Sequence, residues 1–167
     1  MLKLYAVYLG GRAEKCNIEL HDVVFVVSVS IQESYPVLVN KWFGITKSLH
    51  IDSYIELNYA DSHDILLSKE KSSDKKKLFY VNFGAYKKNY FGEIHESEFY
   101  VGTTKSDVLL RAKKELCLQG MEPHCDDNVS IDDVIEVNHV DQYYLHFMPT
   151  ERRRITIVSD YQPLAIT

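Results

Sequence analysis

The chain has 167 residues, 46% of them hydrophobic and 26% charged, with a net charge of −5; that suits one domain or two very small ones and excludes a disordered chain. The longest apolar run, Leu4–Leu9, is six residues, too short to cross a bilayer, no signal-peptide core fits the start, and the three scattered cysteines Cys16, Cys117 and Cys125 form neither a disulfide framework nor a CxxC metal knuckle. A soluble, reduced, cytoplasmic protein without a membrane partner is therefore expected, and the acidic balance argues against a large nucleic-acid footprint, which needs a basic stripe; the basic runs Lys75–Lys77 and Arg152–Arg154 would serve one only if they merged on one face.

In chain order, residues 3–9 predict a first strand, followed by a turn at Gly10-Gly11. A second strand is expected over 20–28, where Val23, Phe25 and Val27 share one face with His21 by the period of two. Ser30-Ile31-Gln32-Glu33 has the form of a capping box. Pro36 is tolerated in the helix that follows only if Ser34 is the true cap. Ile31, Tyr35, Leu38 and Trp42 form the apolar stripe, ending at Phe43-Gly44. A third strand is expected over 53–59 and a fourth over 63–67. Residues 68–77 carry five basic and two acidic side chains and no apolar one, so they read as a linker. Beyond it, His95, Ser97, Phe99 and Val101 share a strand face. Thr104-Lys105-Ser106-Asp107 opens a helix whose Val108, Ala112 and Leu116 recur every fourth residue, with Gly120 as its stop. Strands are expected over 133–139 and 143–148, and a last one over Arg154–Ser159.

The chain repeats itself. Shifted by 74 residues without gaps, positions 3–52 and 77–126 share 10 identities in 50, against roughly three from ordinary composition. After an insertion of six, Ile55-Glu56-Leu57-Asn58-Tyr59-Ala60-Asp61 falls on Ile135-Glu136-Val137-Asn138-His139-Val140-Asp141. Asp52 matches Asp126 or Asp132, according to where in 125–131 the gap lies. The expected fold is α+β. It is an internal duplication of a ββαβ(β) unit, with mostly antiparallel sheets and one helix per unit about a pseudo-twofold axis. The expected organisation is a first repeat over 1–67, the linker over 68–77, and a second repeat with a C-terminal strand over 78–167, packed as one body.

The matched polar residues are the candidate ligand-binding set: Glu19 and Glu93, His21 and His95, His50 and His124, Asp52 and Asp126. Glu-x-His on a strand projects a carboxylate and an imidazole together, as an acid–base pair or as two metal ligands. Set against this, a histidine on an apolar strand face is most often a satisfied core residue. His50-Ile51-Asp52 and His124-Cys125-Asp126 are read as loop residues bonded to local backbone, and Glu56, Asn58 and Asp61 as a solvated face and turn. Cys125 beside His124 fails as a nucleophile–base pair, because strand neighbours point apart and the first unit has Ile51 there. No P-loop, GxGxxG, GxSxG or HExxH pattern occurs.

Tyr5-Ala6-Val7-Tyr8-Leu9-Gly10-Gly11, Glu19-Leu20-His21-Asp22, Lys41-Trp42-Phe43-Gly44 and His50-Ile51-Asp52 together resemble an uncharacterised bacterial family whose members carry one or two copies of a domain of unknown function. The resemblance covers 3–59 well and 77–139 loosely; in the second copy Gly11-Arg12 becomes Ala85-Tyr86, and Trp42-Phe43-Gly44 becomes Leu116-Cys117-Leu118. It implies a fold and a bacterial cytoplasm, not a reaction. The element order from the second strand also resembles vicinal-oxygen-chelate modules, but Leu78–Phe83 and Arg154–Ser159 lack the glutamate those enzymes carry. The function is thus unknown, with a non-enzymatic binding or interaction module preferred. No metal and no cofactor is expected, and the chain is a monomer or homodimer. The alternative is a small-molecule-binding protein or enzyme with its site at the junction of the repeats, using Glu19, His21, Glu93 and His95.

Overall fold

The computed structural model describes residues 1–85, 89–118 and 130–164. The elements are β1 (Lys3–Arg12), β2 (Leu20–Ser28), a 3₁₀ turn (Gln32–Ser34), α1 (Tyr35–Lys41), β3 (Ile45–Glu56), β4 (Tyr59–Ala60), β5 (His63–Ser68), β6 (Lys77–Ala85), β7 (Ile94–Gly102), α2 (Lys105–Leu118), β8 (Ser130–Val137), β9 (His139–Val140), β10 (Tyr143–Pro149) and β11 (Ile157–Pro163). One sheet has the order β11-β3-β1-β2, a second β7-β6-β8, and a third, β4-β5-β10-β9, joins a hairpin from each half. All described pairings are antiparallel, so the fold is mixed α+β as expected.

The period of two sorts the side chains of the central strands into layers. Tyr5, Val7 and Leu9 of β1, with Val24 and Val26 of β2, bury against Ile31, Leu38 and Trp42 on the α1 side. Leu4, Ala6 and Phe25 point the other way and meet Leu78, Tyr80 and Phe99 of the second sheet. Phe79, Val81, Phe83 and Tyr100 then pack beneath Val108 and Ala112 of α2. The result is helix, sheet, sheet, helix. The two sheets touch directly, with Phe25 edge-on to Tyr80 at 6.5 Å and to Phe99 at 6.4 Å, a favourable aromatic arrangement.

The helix starts follow their sequence signals. The Thr104 hydroxyl accepts the Asp107 N–H at 3.2 Å and donates to the Asp107 carboxylate at 2.6 Å. Ser34 is the residue before α1, so Pro36 sits in its first turn, where no intrahelical N–H is lost. The Ser34 hydroxyl, however, donates to the Ile31 carbonyl at 2.6 Å rather than capping α1. Gly120 lies outside the described residues.

Three expectations are corrected. The third strand begins at Ile45, eight residues before the expected start at 53. The register with β1 shifts between Tyr8/Leu9, where Tyr8 faces Ser53 and Leu9 faces Ile51; Asp52 is left over as a bulge, which breaks the alternation that marks a strand. Gly10-Gly11 is not a turn but part of β1. A Cβ on Gly10 would lie 2.5 Å from His50 Nε2, and one on Gly11 would lie 2.9 Å from the Trp42 ring, so these positions need glycine for space. The last strand is Ile157–Pro163, and it crosses to pair with β3.

The halves meet in matching ways. β1 pairs β2 from Lys3↔Ser28 to Gly11↔Leu20, and β6 pairs β7 from Lys77↔Gly102 to Ala85↔Ile94, the same register moved by 74 residues. Between the halves, β5 pairs β10 with Leu66 opposite His146, residues separated by the same 80-residue offset that carries Ile55 onto Ile135. These registers are compatible with a duplicated unit. Asp61 and Asp141, both left-handed at φ 47° and 54°, are not solvated turn residues. Asp61 Oδ2 accepts the Val101 N–H at 2.7 Å and Arg111 Nη2 at 2.5 Å. Asp141 accepts the Val27 N–H at 2.8 Å and Lys41 Nζ at 3.3 Å. Each aspartate thus holds the β2 or β7 strand of the opposite half.

Candidate metal centre

Four of the eight candidate residues converge. β2 begins at Leu20, so Glu19 and His21 flank its first residue and project together. His50 is opposite Gly10 in the β1–β3 ladder, and His21 is opposite Gly10 in the β1–β2 ladder. The missing Cβ of Gly10 leaves the room taken by the His50 imidazole and by the carboxylate that the Asp52 bulge brings into the same space. His50 Nε2 lies 3.4 Å from Glu19 Oε1 and 3.3 Å from Asp52 Oδ1. His21 Nε2 lies 3.4 Å from Glu19 Oε1 and 3.4 Å from Asp52 Oδ2. Among the described residues, Glu19, His50 and Asp52 are the set whose ligand atoms all fall within 4.8 Å of one another.

His50 is the buried member, only 3% exposed; its reading as a loop residue is overturned, since it lies within β3. Its Nδ1 is 3.0 Å from the Ser48 carbonyl, a contact in which Nδ1–H donates, and this fixes the ring with Nε2 directed at the carboxylates. Tyr161 from β11 covers the ring at 4.6 Å. His21 stacks on Tyr8 at 5.3 Å, and with 40% of its side chain exposed it is a rim residue rather than a satisfied core histidine. Burial, and after it the Asp52 carboxylate, push the Tyr8 phenol above its ordinary value. Asp52 Oδ2 is buried without a hydrogen-bond partner, with His21 Nε2 at 3.4 Å, a costly state unless a charge engages it fully.

The other candidates are arranged differently. His95 Nε2 faces Glu93 at 3.7 Å on the second sheet, and the Asn82 amide reaches His95 Nδ1 at 3.5 Å. By pairing register, Ser130 stands opposite Gly84 where His50 stands opposite Gly10. The register shift between Asn82/Phe83 leaves Asp132 at the place of Asp52. By register alone, Ser130 and Asp132 stand in the second sheet where His50 and Asp52 stand in the first. His124 and Asp126, with Cys125, lie outside the described residues. Sequence reasoning missed Tyr161, whose contact depends on β11 returning to the first half. It also missed the two aspartate ties, although their place in the repeat marked both residues. The basic runs line separate cavities, Lys75–Lys77 in one and Arg152–Arg154 in the other. Among the described residues, no helix is long and apolar enough to cross a membrane.

Residues 16–67 match the family model of a Domain of Unknown Function, DUF1543; that span contains Glu19, His21, His50 and Asp52. Over nearly its whole length the chain is similar to a solved structure, protein Il1583 from Idiomarina loihiensis. The two are 30% identical over 98% of each chain, with a TM-score of 0.76. No curated protein matches the chain.

Proposed function

The chain belongs to one family with the Idiomarina loihiensis protein and carries a domain of unknown function, and we propose that it is a binding module for one divalent transition-metal ion, held by Glu19, His50 and Asp52 with His21 beside them. The observation that carries this is His50: a buried imidazole, its Nδ1 fixed by a backbone carbonyl, faces two carboxylate oxygens at 3.4 and 3.3 Å. Ligand atoms around a tetrahedral ion with bonds of about 2.0–2.2 Å are roughly 3.3–3.6 Å apart, so these two separations support a shared ion, in a set whose three ligand atoms lie within 4.8 Å of one another. A carbonyl holding the far nitrogen of a ligating histidine is the usual outer-shell support of such sites. Imidazole with carboxylate suits zinc, manganese or iron rather than calcium. This departs from the metal-free expectation of the sequence, which treated His50 and Asp52 as loop residues.

The same reading takes the chain as a duplicated ββαβ(β) unit, 1–67 and 78–167 joined by 68–77, related by a pseudo-twofold through the β5–β10 pair. The 74- and 80-residue register offsets and the reciprocal aspartate ties support it. The second unit keeps Glu93 and His95 but has Ser130 at the place of His50, so one ion per chain is expected.

Isothermal titration of chelator-treated protein with Zn²⁺ and Mn²⁺ tests the proposal. The expected result is one equivalent, weakened at least 100-fold by His50→Ala or Asp52→Asn and unchanged by Glu93→Ala/His95→Ala. A His50→Ala variant that titrates like the wild type refutes it, and so does a second equivalent lost with His95.

A further inference from the structure

A second site, independent of the metal proposal, lies between the halves. A cavity of about 670 Å³ is lined by Ile55 and Tyr59 from the first half and by Phe99 and Arg152–Arg154 from the second, a size in the ordinary range for small-ligand sites. We propose that it binds a small organic anion, an apolar body ending in a carboxylate or phosphate, with Arg152 and Arg154 as the anion clamp.

The arginine segment is pinned before any ligand arrives. The Thr150 N–H donates to the Ser62 carbonyl at 2.9 Å. The Arg153 N–H donates to the Tyr59 hydroxyl at 2.9 Å, and the same oxygen accepts the Ser62 N–H at 3.0 Å. The Arg153 guanidinium lies over the Tyr59 ring at 4.6 Å and pairs with Asp64. The middle arginine is thereby committed to holding the loop. Arg152 and Arg154, on either side of it, have no hydrogen bond or ion pair among the described residues and line the cavity.

The acids at the cavity do not compete for them. Asp61 is taken by the Val101 N–H and Arg111. Glu98 accepts the Phe99 N–H at 3.0 Å, and Glu115 lies beside the Tyr100 phenol, where burial, and after it the Glu115 charge, hold the phenol neutral. Those three carboxylates oppose an extended polyanion but leave room for one compact anionic group. Arg is the residue suited to it, because its planar fork matches carboxylate and phosphate oxygens. Phe99, Ile55, Ile155 and Ile157 supply the apolar wall.

The test uses full-length, chelator-treated protein titrated with phenyl phosphate, benzoate, inorganic phosphate and benzyl alcohol, read by calorimetry and by thermal shift. Saturable binding of phenyl phosphate or benzoate is expected, with their relative affinities separating a phosphate from a carboxylate preference. Affinity should fall at least tenfold in Arg152→Ala/Arg154→Ala, with smaller losses in each single variant, and unchanged far-UV dichroism showing that the fold is intact. His50→Ala should bind as the wild type does. Absence of saturable binding by either aromatic anion, or equal binding by the double variant, overturns the proposal. Loss of binding in His50→Ala also overturns it by moving the anion to the metal centre. Benzyl alcohol binding as well as phenyl phosphate removes the clamp, and inorganic phosphate binding as well as phenyl phosphate removes the apolar wall.

Discussion

Replacing the aspartates that tie the halves together is the sharpest test of the architecture. Asp61 contributes one carboxylate oxygen to the Val101 N–H at 2.7 Å and to Arg111 at 2.5 Å. A hydrogen bond to a charged group contributes about 1.5–3 kcal/mol, and a partly exposed ion pair about 0.2–1 kcal/mol. Asp61→Ala removes both and places alanine at φ 47°, a strained backbone for a residue with no side chain to bond locally; a loss of about 2–4 kcal/mol is expected. Asp61→Asn keeps an oxygen acceptor and tolerates the left-handed backbone, so it should lose only about 1 kcal/mol. The same pair of values is expected at Asp141, which holds the Val27 N–H. The two ties share no partner, so their costs should nearly add, and the double alanine variant should lose much of a typical domain stability of about 5–15 kcal/mol. Urea unfolding followed by far-UV dichroism and by tyrosine fluorescence measures this. The wild type should unfold in one transition with coincident probes. Equal losses for alanine and asparagine, a loss below about 0.5 kcal/mol, which is the size expected of an ordinary surface substitution, or two separate transitions would refute the reasoning.

Gly10→Ala should weaken Zn²⁺ binding at least tenfold and cost about 1–3 kcal/mol of stability, since its Cβ would sit 2.5 Å from His50 Nε2 and 2.8 Å from Asp52 Oδ2; calorimetry and urea titration read the two effects separately. Tyr59→Phe leaves the Ser62 and Arg153 N–H groups without their acceptor and should cost about 1–3 kcal/mol, measured by thermal melting. Truncation after Arg154 removes β11 and the Leu164 N–H bond to Leu49 at 2.9 Å; the bared β3 edge should promote self-association, visible by light scattering. Residues 1–67 and 78–167 expressed separately should be poorly folded or self-associating, because Phe25, Tyr80 and Phe99 bury one another across the halves; cooperative melting of monomeric halves would contradict the fold described.

The elements whose signal is local were legible. β2 was readable from its Val/Phe alternation, α2 from its Thr104–Asp107 box, and the displaced start of α1 from Pro36. What was not legible depends on partners distant in sequence. Asp52 is a bulge only relative to Tyr8 and Leu9 of β1, and without that partner the stretch from Ile45 reads as a loop. Gly10-Gly11 has the composition of a turn, and only the Trp42 and His50 rings that fill the missing Cβ positions explain why β1 runs on through it. Glu19 and His21 were visible as a pair at i, i+2, but their union with His50 requires β2 and β3 to flank β1 at the same glycine. The pairing of His50 with His124 followed sequence identity, whereas the register in the second sheet places Ser130 opposite Gly84 as His50 is opposite Gly10.

The extra strand explains why the halves differ at their sites. Each half supplies a central strand with a glycine at the same register position, an imidazole opposite it from the next strand, and an aspartate at the bulge position. Only the first half has β11, which pairs with β3 so that Pro163 faces His50 and Tyr161 covers the His50 ring. In the second sheet β8 is an edge strand among the described residues. A histidine at the Ser130 position would therefore lie on an open edge, while His50 is shielded on both sides, nearly fully buried and fixed through its Nδ1. If the proposed ion binds, shielding from water strengthens the pull of the Asp52 and Glu19 charges on it, and the fixed ring has less side-chain entropy to lose on ligation. The one return strand therefore covers the side of the molecule where two histidines and two carboxylates meet.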